Sequence, residues 1–539
     1  MRHGLARPAR STRRPAWCRL LPALALLCLS ACASLPSEFA SKPPTAVPTV
    51  QTTALERIAK ASRADPEQSG FRLMPTGQFA LQARLELARH AQRTLDVQYY
   101  QIHDDQTGRY LLRTLRDAAQ RGVRVRILID DLYTAGEDPL LLALDACPNV
   151  EIRLFNPFPA GRQNLITRFA ANASQFSRVN RRMHNKLFIA DGAMAVVGGR
   201  NIADEYFMLS KGANFVDLDT FVIGGILPRL TKLFEMYWDS PRVYPLGAIV
   251  KTDASIEERQ RSFERLTASD TTPEPDPPPP NDVLGYAPIK AELDAGKLGL
   301  IWADARAYAD SPDKAIGRVS TYAGTPIEDV DSVRYNVVEM VRRARSEVVI
   351  TSPYLIPGEQ GLEVLREAVQ RHHVKFTLVT NSLAATDEPV VHTGYRRYRP
   401  EMLKLGMNLY ELSPVRVSRS LRLGRFSTSI GRLHAKSAVV DRDRVFIGSM
   451  NFDPRSDQLN TEMGLFIENR EIAQQLLKLI DVIKSQGAYQ VRLAANGKDL
   501  EWVTTGAQGQ QELVDEPETD IWSRMMLEIL SVLTPESLL

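Results

Sequence analysis

The chain has 539 residues, 44% hydrophobic and 24% charged, an ordinary globular balance with ample length for two cored domains and linkers. Its formal charge of +3 is set by the N-terminus: the first 31 residues hold six Arg and no acid, so 67 − 6 leaves 61 basic against 64 acidic residues, about −3 for the rest. That balance speaks against a general nucleic-acid binder, which carries a strong basic excess.

Arg2, Arg7, Arg10, Arg13, Arg14 and Arg19 form a positive leader, followed by an apolar run of 12 residues over 20–31, too short to cross a bilayer as a helix. The run ends in Leu29-Ser30-Ala31-Cys32, which resembles a bacterial lipobox, where the Cys becomes the lipidated first residue of the mature protein. An ordinary signal peptide or a signal anchor is the alternative. Ala33, where an Asp would resemble an inner-membrane retention signal, favours the outer membrane of a periplasm-facing lipoprotein. Cys18 and Cys28 leave with the leader, so Cys147 remains alone, a packed structural thiol with no partner for an intramolecular disulfide.

The reading divides the chain into a leader over 1–31, a tether over 32–54, a first domain over 55–250, a linker over 251–330, a second domain over 331–490 and a tail over 491–539. Apolar spacing predicts helices over 79–91 and 108–120, and strands over 95–100, 123–129 and 150–155. The second half repeats the order, with helices over 332–345 and 362–370 and strands over 347–351, 374–380 and 407–411. Strands alternating with helices predict α/β half-domains, each with a mixed, mostly parallel sheet flanked by helices. Between them, 267–282 is Pro-rich and predicted to be exposed and extended, whereas 301–308 looks ordered. In the tail, Trp502 and Trp522 point to packing on the body. The amphipathic run 521–539 is predicted to dock, with a membrane-contacting helix as the alternative.

One pattern occurs twice. Residues 181–201 read RRMHNKLFIADGAMAVVGGRN and residues 431–451 read GRLHAKSAVVDRDRVFIGSMN. Each contains His-x-Lys, an Asp five residues after the Lys, and Gly-[Gly/Ser]-x-Asn: His184, Lys186, Asp191, Asn201, and His434, Lys436, Asp441, Ser449, Asn451. Every counterpart lies 250 residues on, which marks an internal duplication, and the alternative of a buried strand with an incidental His does not explain two copies in register. No H-E-x-x-H and no paired C-x-x-C appears. Asp130-Asp131 and Asp217-Leu-Asp219 could hold a cation, but carboxylates at strand ends are common. The expectation is no catalytic metal and no cofactor.

The paired motif resembles the phospholipase D superfamily, whose members use two such half-sites to make and break phosphodiester bonds. Stretches such as TLDVQYYQIHDD, GGRNIADEYF, TNSLAATDEPVVHTGY and IGSMNFDPRSDQLNTEMG are similar to bacterial cardiolipin synthases of the C type. The resemblance runs from about residue 95 to the C-terminus and is poorer between the halves. It implies two half-domains related by a pseudo-twofold axis with the active site between them. It also implies a phosphatidyltransferase that makes cardiolipin through a phosphohistidine, with phosphatidylglycerol as acceptor and phosphatidylglycerol or phosphatidylethanolamine as donor. A hydrolase of the same fold, a nuclease and a non-enzymatic envelope lipoprotein are the rivals.

The residues suit that chemistry. Strand geometry puts His184 and Lys186 on one face, and likewise His434 and Lys436. One imidazole attacks phosphorus while the other moves the proton. Which imidazole attacks is not fixed by the residues; the resemblance favours His184 as nucleophile and His434 as acid/base. Lys186, Lys436, Asn201 and Asn451 would hold non-bridging oxygens. Asp191 and Asp441 would orient loops or imidazoles, Glu462 would support a catalytic His, and Glu205 is the guess for its counterpart. Gly199, opposite Ser449, removes one hydroxyl from the first half-site. Two arginine-rich, acid-free stretches lead into the motifs, one with Arg153, Arg162, Arg168, Arg178, Arg181 and Arg182, the other with Arg416, Arg419, Arg422, Arg425 and Arg432. Their interleaved apolar residues are expected to meet an anionic membrane surface, with two solvated loops as the alternative.

Overall fold

The structure is a computed structural model that describes residues 34–39, 46–63, 65–317, 321–322, 325–326, 330–424, 426, 428–506, 509–522, 524–525 and 527. The leader, Cys32 and most of the run after 521 lie outside the described residues.

The first half contributes β1 (Ser69–Met74), β2 (Thr94–Tyr99), β3 (Arg124–Asp130), β4 (Val150–Phe155), β5 (Leu187–Ala190), β6 (Met194–Gly198), β7 (Ala213–Val216), β8 (Asp219–Gly224) and β9 (Val243–Pro245). Then come β10 (Ile301–Ala309) and the short pair β11 (Thr321–Tyr322) and β12 (Thr325–Pro326). The second half contributes β13 (Glu347–Thr351), β14 (Lys375–Asn381), β15 (Asn408–Leu412), β16 (Ile430–Leu433), β17 (Ser437–Val440), β18 (Arg444–Gly448), β19 (Met463–Glu468), β20 (Ala488–Leu493), β21 (Leu500–Gly506) and β22 (Gly509–Leu513).

The two halves share one topology. In the first, β4, β3 and β2 run parallel, and β5, β6, β8 and β1 follow antiparallel. In the second, β15, β14 and β13 are parallel, and β17, β18, β19 and β10 follow antiparallel. The sheets are therefore mixed, but antiparallel ladders outnumber parallel ones, which corrects the expectation of mostly parallel sheets. The cause is local. Parallel strands need a long crossover, while β5 and β6 are joined by a turn with Asp191 at φ 53° and Gly192 at φ 65°. The β17–β18 turn has Asp441 at 51° and Arg442 at 62°. Successive positive φ values match the twist of a tight hairpin and force antiparallel return. The Asp191-Gly192 dipeptide was the available signal.

Strand β10 belongs to both halves. Its residues Ile301 to Ala303 pair with β1, and Asp304 to Ala309 pair with β19, so one continuous sheet runs through the molecule. The motif strands are buried on both faces, which is why they read as unbroken apolar runs. Leu187, Ile189, Ala195 and Val197 share a core with Val439, Val445 and Ile447 of the other half. Their opposite faces supply Phe188, Ala190 and Val196 to the first half's own core, and Ala438, Val440 and Phe446 to the second's. The dimer-like seam between the motif hairpins is thus apolar and closes the halves around the residues just before them.

The segment 251–330 is more than a connector. Its helix Ile256–Leu266 buries Phe263, and Ile289–Asp294 buries Ile289 and Leu293, all in the first half's core. Residues 267–282 hold no helix or strand and are mostly exposed. In the tail, β20 extends the second sheet beside β15, Trp502 is buried with its Nε1–H on Glu411 Oε2 at 2.7 Å, and Trp522 is 77% exposed. Cys147 is buried, its thiol on the Ala143 carbonyl at 3.8 Å. Among the described residues no helix is long and apolar enough to cross a membrane.

Candidate active site

Each motif histidine is held by the other half of the molecule. The backbone N–H of His184 donates to the Thr461 carbonyl at 2.8 Å, and that of His434 donates to the Val216 carbonyl at 2.8 Å. Strand β16, leading into His434, lies parallel to β7 with Leu433 opposite Val216, and Met183 bridges Thr461 in the same way. The residue after each acceptor carbonyl is acidic. Glu462 Oε2 lies 3.0 Å from His184 Nδ1, and Asp217 Oδ2 lies 2.7 Å from His434 Nδ1. The pairing is crossed, so neither half-site is complete without the opposite half.

Glu462 therefore stands where the sequence placed it, beside a motif histidine. Glu205 does not; its carboxylate is half-buried and pushed up by burial. The correction is Asp217, whose position escaped notice because Asn201 to Asp217 spans 16 residues and Asn451 to Glu462 only 11. The register of the repeat slips there, although both acids are followed by a β-strand, β8 and β19. The same pair explains Gly199. A Cβ at Gly199 would strike the Asp217 carboxylate. At the equivalent place the longer Glu462 leaves room for Ser449, whose hydroxyl donates to Glu462 Oε2 while accepting the Met463 N–H at 3.0 Å.

Lys186 Nζ donates to its own strand's His184 carbonyl at 2.7 Å, and Lys436 Nζ to that of His434 at 2.5 Å. Both ammonium groups are almost wholly buried. Burial, then the neighbouring Lys436, pushes Lys186 down to about 7, and burial pushes Lys436 down to about 8. Burial, Lys186 and Lys436 hold the His184 imidazole well below its usual range. Burial and Lys436 lower His434 to about 4, against the pull of Asp217. Each imidazole thus feels lysines of both halves, which makes this one electrostatic site. Burial works against the Asp217 charge, yet His434 and Lys436 hold its carboxyl below the usual range. Burial pushes Glu462 up to about 7. Two neutral imidazoles, each giving its Nδ1–H to a carboxylate, have their Nε2 lone pairs free.

Asn201 donates to the Tyr206 hydroxyl at 2.9 Å, and the Oδ1 atoms of Asn201 and Asn451 are buried without partners among the described residues. The Tyr100 ring meets His184 edge-on at 5.0 Å, and Tyr206 meets His434 at 5.0 Å.

Asp191 and Asp441 lie elsewhere, at the far ends of β5 and β17. Asp191 accepts the backbone N–H groups of Gln92, Arg93 and Thr94, and Asp441 those of Arg345, Ser346 and Glu347. They tie each hairpin turn to the start of β2 or β13; the partner is a loop, not an imidazole. Asp191→Ala is expected to cost about 3 kcal/mol, because three amides lose a charged acceptor in a buried site. Asp441→Ala should cost about 1–2 kcal/mol, since water replaces part of a more exposed carboxylate. Urea unfolding of the two variants measures the difference.

The other acidic candidates hold arginines. Asp219 lies 2.9 Å from Arg84, Asp130 3.2 Å from Arg182, and Asp131 2.7 Å from Arg162. The first arginine-rich stretch is divided: Arg162, Arg168 and Arg182 are structural and Phe155 and Phe158 are fully buried, whereas Leu165 and Ile166 are exposed. In the second stretch Leu421 is 82% exposed between exposed Arg419 and Arg422. Arg425 lies outside the described residues.

The domain family described as "Cardiolipin synthase, PLD-like domain" matches residues 85–238 and 337–483. Cardiolipin synthase C of Escherichia coli (strain K12) is 39% identical over 484 residues, which is 88% of this chain and 97% of that protein. An uncharacterized protein of Helicobacter pylori (strain J99) is 30% identical over 439 residues, 81% of this chain and 83% of that one. Among solved structures, the phosphatidylserine synthase of Haemophilus influenzae Rd KW20 superposes with a TM-score of 0.51 at 14% identity, covering 89% of this chain and 96% of that one. That likeness shows the fold.

Proposed function

The chain belongs to the cardiolipin synthase family with phospholipase D-like domains, and on that premise we propose that it is a phosphatidyltransferase making cardiolipin from phosphatidylglycerol. The observation that carries the reading is the crossed pairing of His184 with Glu462 and of His434 with Asp217. It leaves two Nε2 atoms, two ammonium groups and two asparagines for a single phosphodiester.

His184 Nε2 gives its lone pair to phosphorus as the bond to the donor's headgroup oxygen breaks, and His434 Nε2–H protonates that oxygen. The phosphatidyl group is then bonded to His184. The acceptor hydroxyl of phosphatidylglycerol loses its proton to His434 Nε2, its oxygen bonds to phosphorus, and the P–N electron pair returns to His184. The donor is phosphatidylglycerol or phosphatidylethanolamine. Lys186, Lys436, Asn201 and Asn451 hold the non-bridging oxygens. One feature supports His184 as nucleophile. Asp217, charged and beside His434, stabilises an imidazolium there. An incoming phosphodiester anion raises both imidazoles and lets His434 take its proton.

The lysines give a pH signature. An ammonium needed for binding is lost as pH rises through its folded pKa, about 7 for Lys186 and about 8 for Lys436. kcat/KM, which reports the free enzyme, is expected to fall above about pH 7–8. The limb in kcat should lie higher, because a bound anion stabilises both charges. Paired pH profiles in lipid–detergent micelles test this, and coincident limbs count against it.

The product assay tests the whole reading: purified protein with labelled phosphatidylglycerol, followed by lipid chromatography, should yield cardiolipin. Phosphatidic acid without cardiolipin would instead mark a hydrolase. We further propose a bacterial lipoprotein anchored through Cys32 and facing the periplasm, with the outer membrane favoured. The exposed Leu421, Arg419 and Arg422 would meet phospholipid headgroups.

A further inference from the structure

Two residues before each motif histidine stands an arginine, Arg182 and Arg432, 250 apart like the histidines. The first is consumed within the fold. Arg182 is fully buried, 3.2 Å from Asp130 Oδ2, and donates to the Asn156 carbonyl at 2.7 Å. Asp130 also accepts the Met183 N–H at 2.8 Å, latching β3 to the residue before His184. In the second half β14 makes the same latch with an amide. Asn381 accepts the Leu433 N–H at 2.8 Å and donates to the Leu433 carbonyl at 2.9 Å. The grip on the backbone N–H is kept and the negative charge is gone.

Arg432 therefore has no equivalent of the Asp130 carboxylate. It is half-buried on β16, opposite Phe215 of the other half. Its Nε is buried without a hydrogen-bond partner, and among the described residues no carboxylate lies in ion-pair contact with it. The Phe215 ring lies 4.9 Å from that of His434. The positive field of Arg432 acts on Glu205 and Glu388, one from each half, so the guanidinium sits where the two halves face each other beside His434. A partly desolvated guanidinium without an ion pair is costly unless an anion completes it, and its planar fork suits a phosphate.

The proposed transfer handles two phosphates. One is attacked, and the two lysines and two asparagines serve it. The other is the diester that the acceptor lipid already carries and keeps. We propose that Arg432 binds this retained phosphate of the acceptor, as a second anion site that selects a phospholipid over water or a simple alcohol. Only one acceptor enters per turnover, so only one arginine of the symmetric pair has to be unlocked. This inference rests on the phosphatidyltransferase reading.

The test is a competition. Labelled phosphatidylglycerol micelles are supplied with propan-1-ol, an uncharged acceptor, and cardiolipin and phosphatidylpropanol are counted. In Arg432→Gln the ratio of cardiolipin to phosphatidylpropanol is expected to fall about tenfold or more, the loss of one charged hydrogen-bonded contact. Arg432→Lys should recover part of it. Asn381→Asp places a carboxylate at the position that Asp130 holds in the first half, at the loss of the bond to the Leu433 carbonyl, and should depress the ratio in the same direction without touching the arginine. An unchanged ratio, or both products falling together in Arg432→Gln and Asn381→Asp, overturns the proposal. If the unsubstituted enzyme makes phosphatidylpropanol and no cardiolipin, it is the lipid-acceptor reading itself that fails.

Discussion

His184→Ala is expected to lower cardiolipin formation by roughly 10⁴-fold or more, because the covalent step loses its nucleophile while the rest of the site stays in place. His434→Ala should be as damaging with a natural lipid donor, whose alkoxide cannot leave unprotonated. The two variants separate when the leaving group needs no proton. With a nitrophenyl phosphodiester, His434→Ala should still release nitrophenolate in a burst of one equivalent per site and stall as the covalent phosphoryl-histidine. His184→Ala should show no burst. Rapid-quench kinetics with mass spectrometry of the trapped adduct read both outcomes. A burst in His184→Ala and none in His434→Ala would exchange the two roles. Burst kinetics in both variants would mean that neither imidazole alone is the attacking group.

Asp217→Asn should cost about 10³-fold in kcat although it changes one atom. Asp217 accepts the Nδ1–H of His434 at 2.7 Å and is the charged partner that stabilises the imidazolium. An amide in its place can present its NH₂ to Nδ1, which reverses the tautomer and leaves Nε2 protonated, with no lone pair to take the acceptor's proton. The sign of the pH effect follows. Asp217 raises the His434 pKa against burial and Lys436, so its loss lowers that pKa further below about 4 and weakens the general acid. The deficit should therefore be large with lipid donors and small with a nitrophenyl ester. Glu462→Gln should lose less, because burial has already raised Glu462 to about 7 and part of its population is neutral at working pH. Equal losses in the two variants would remove the distinction between attacking and proton-moving half-sites.

Local pattern alone specified most of the secondary structure. The helix read over 108–120 is Gln106–Gln120, capped by Asp105 on the Gly108 N–H. The strand over 150–155 is β4 to the residue, and Ser332 caps the helix Val333–Arg342. Such elements are set by apolar period, caps and turns that act within a few residues, and these are written in the chain. The duplication and the four motif residues His184, Lys186, His434 and Lys436 were legible for the same reason, since their spacing is local and repeated. The antiparallel return of β5 into β6 was also local, in Asp191-Gly192, but the helix–strand alternation upstream outweighed it.

What needed the folded molecule was every relation between the halves. Asp217 is 217 residues from His434, and Glu462 is 278 from His184, so no window of sequence contains either pair. Their meeting depends on an apolar seam that closes two hairpins against each other and on β10 stitching both sheets together. The fate of the arginines was equally hidden. Arg162, Arg182 and Arg432 look alike along the chain. Whether a guanidinium is neutralised inside or left for an anion turns on one partner from a distant strand, an aspartate at 130 and an asparagine at 381. Charge on a surface and charge in a salt bridge share one composition, and only burial and distance separate them.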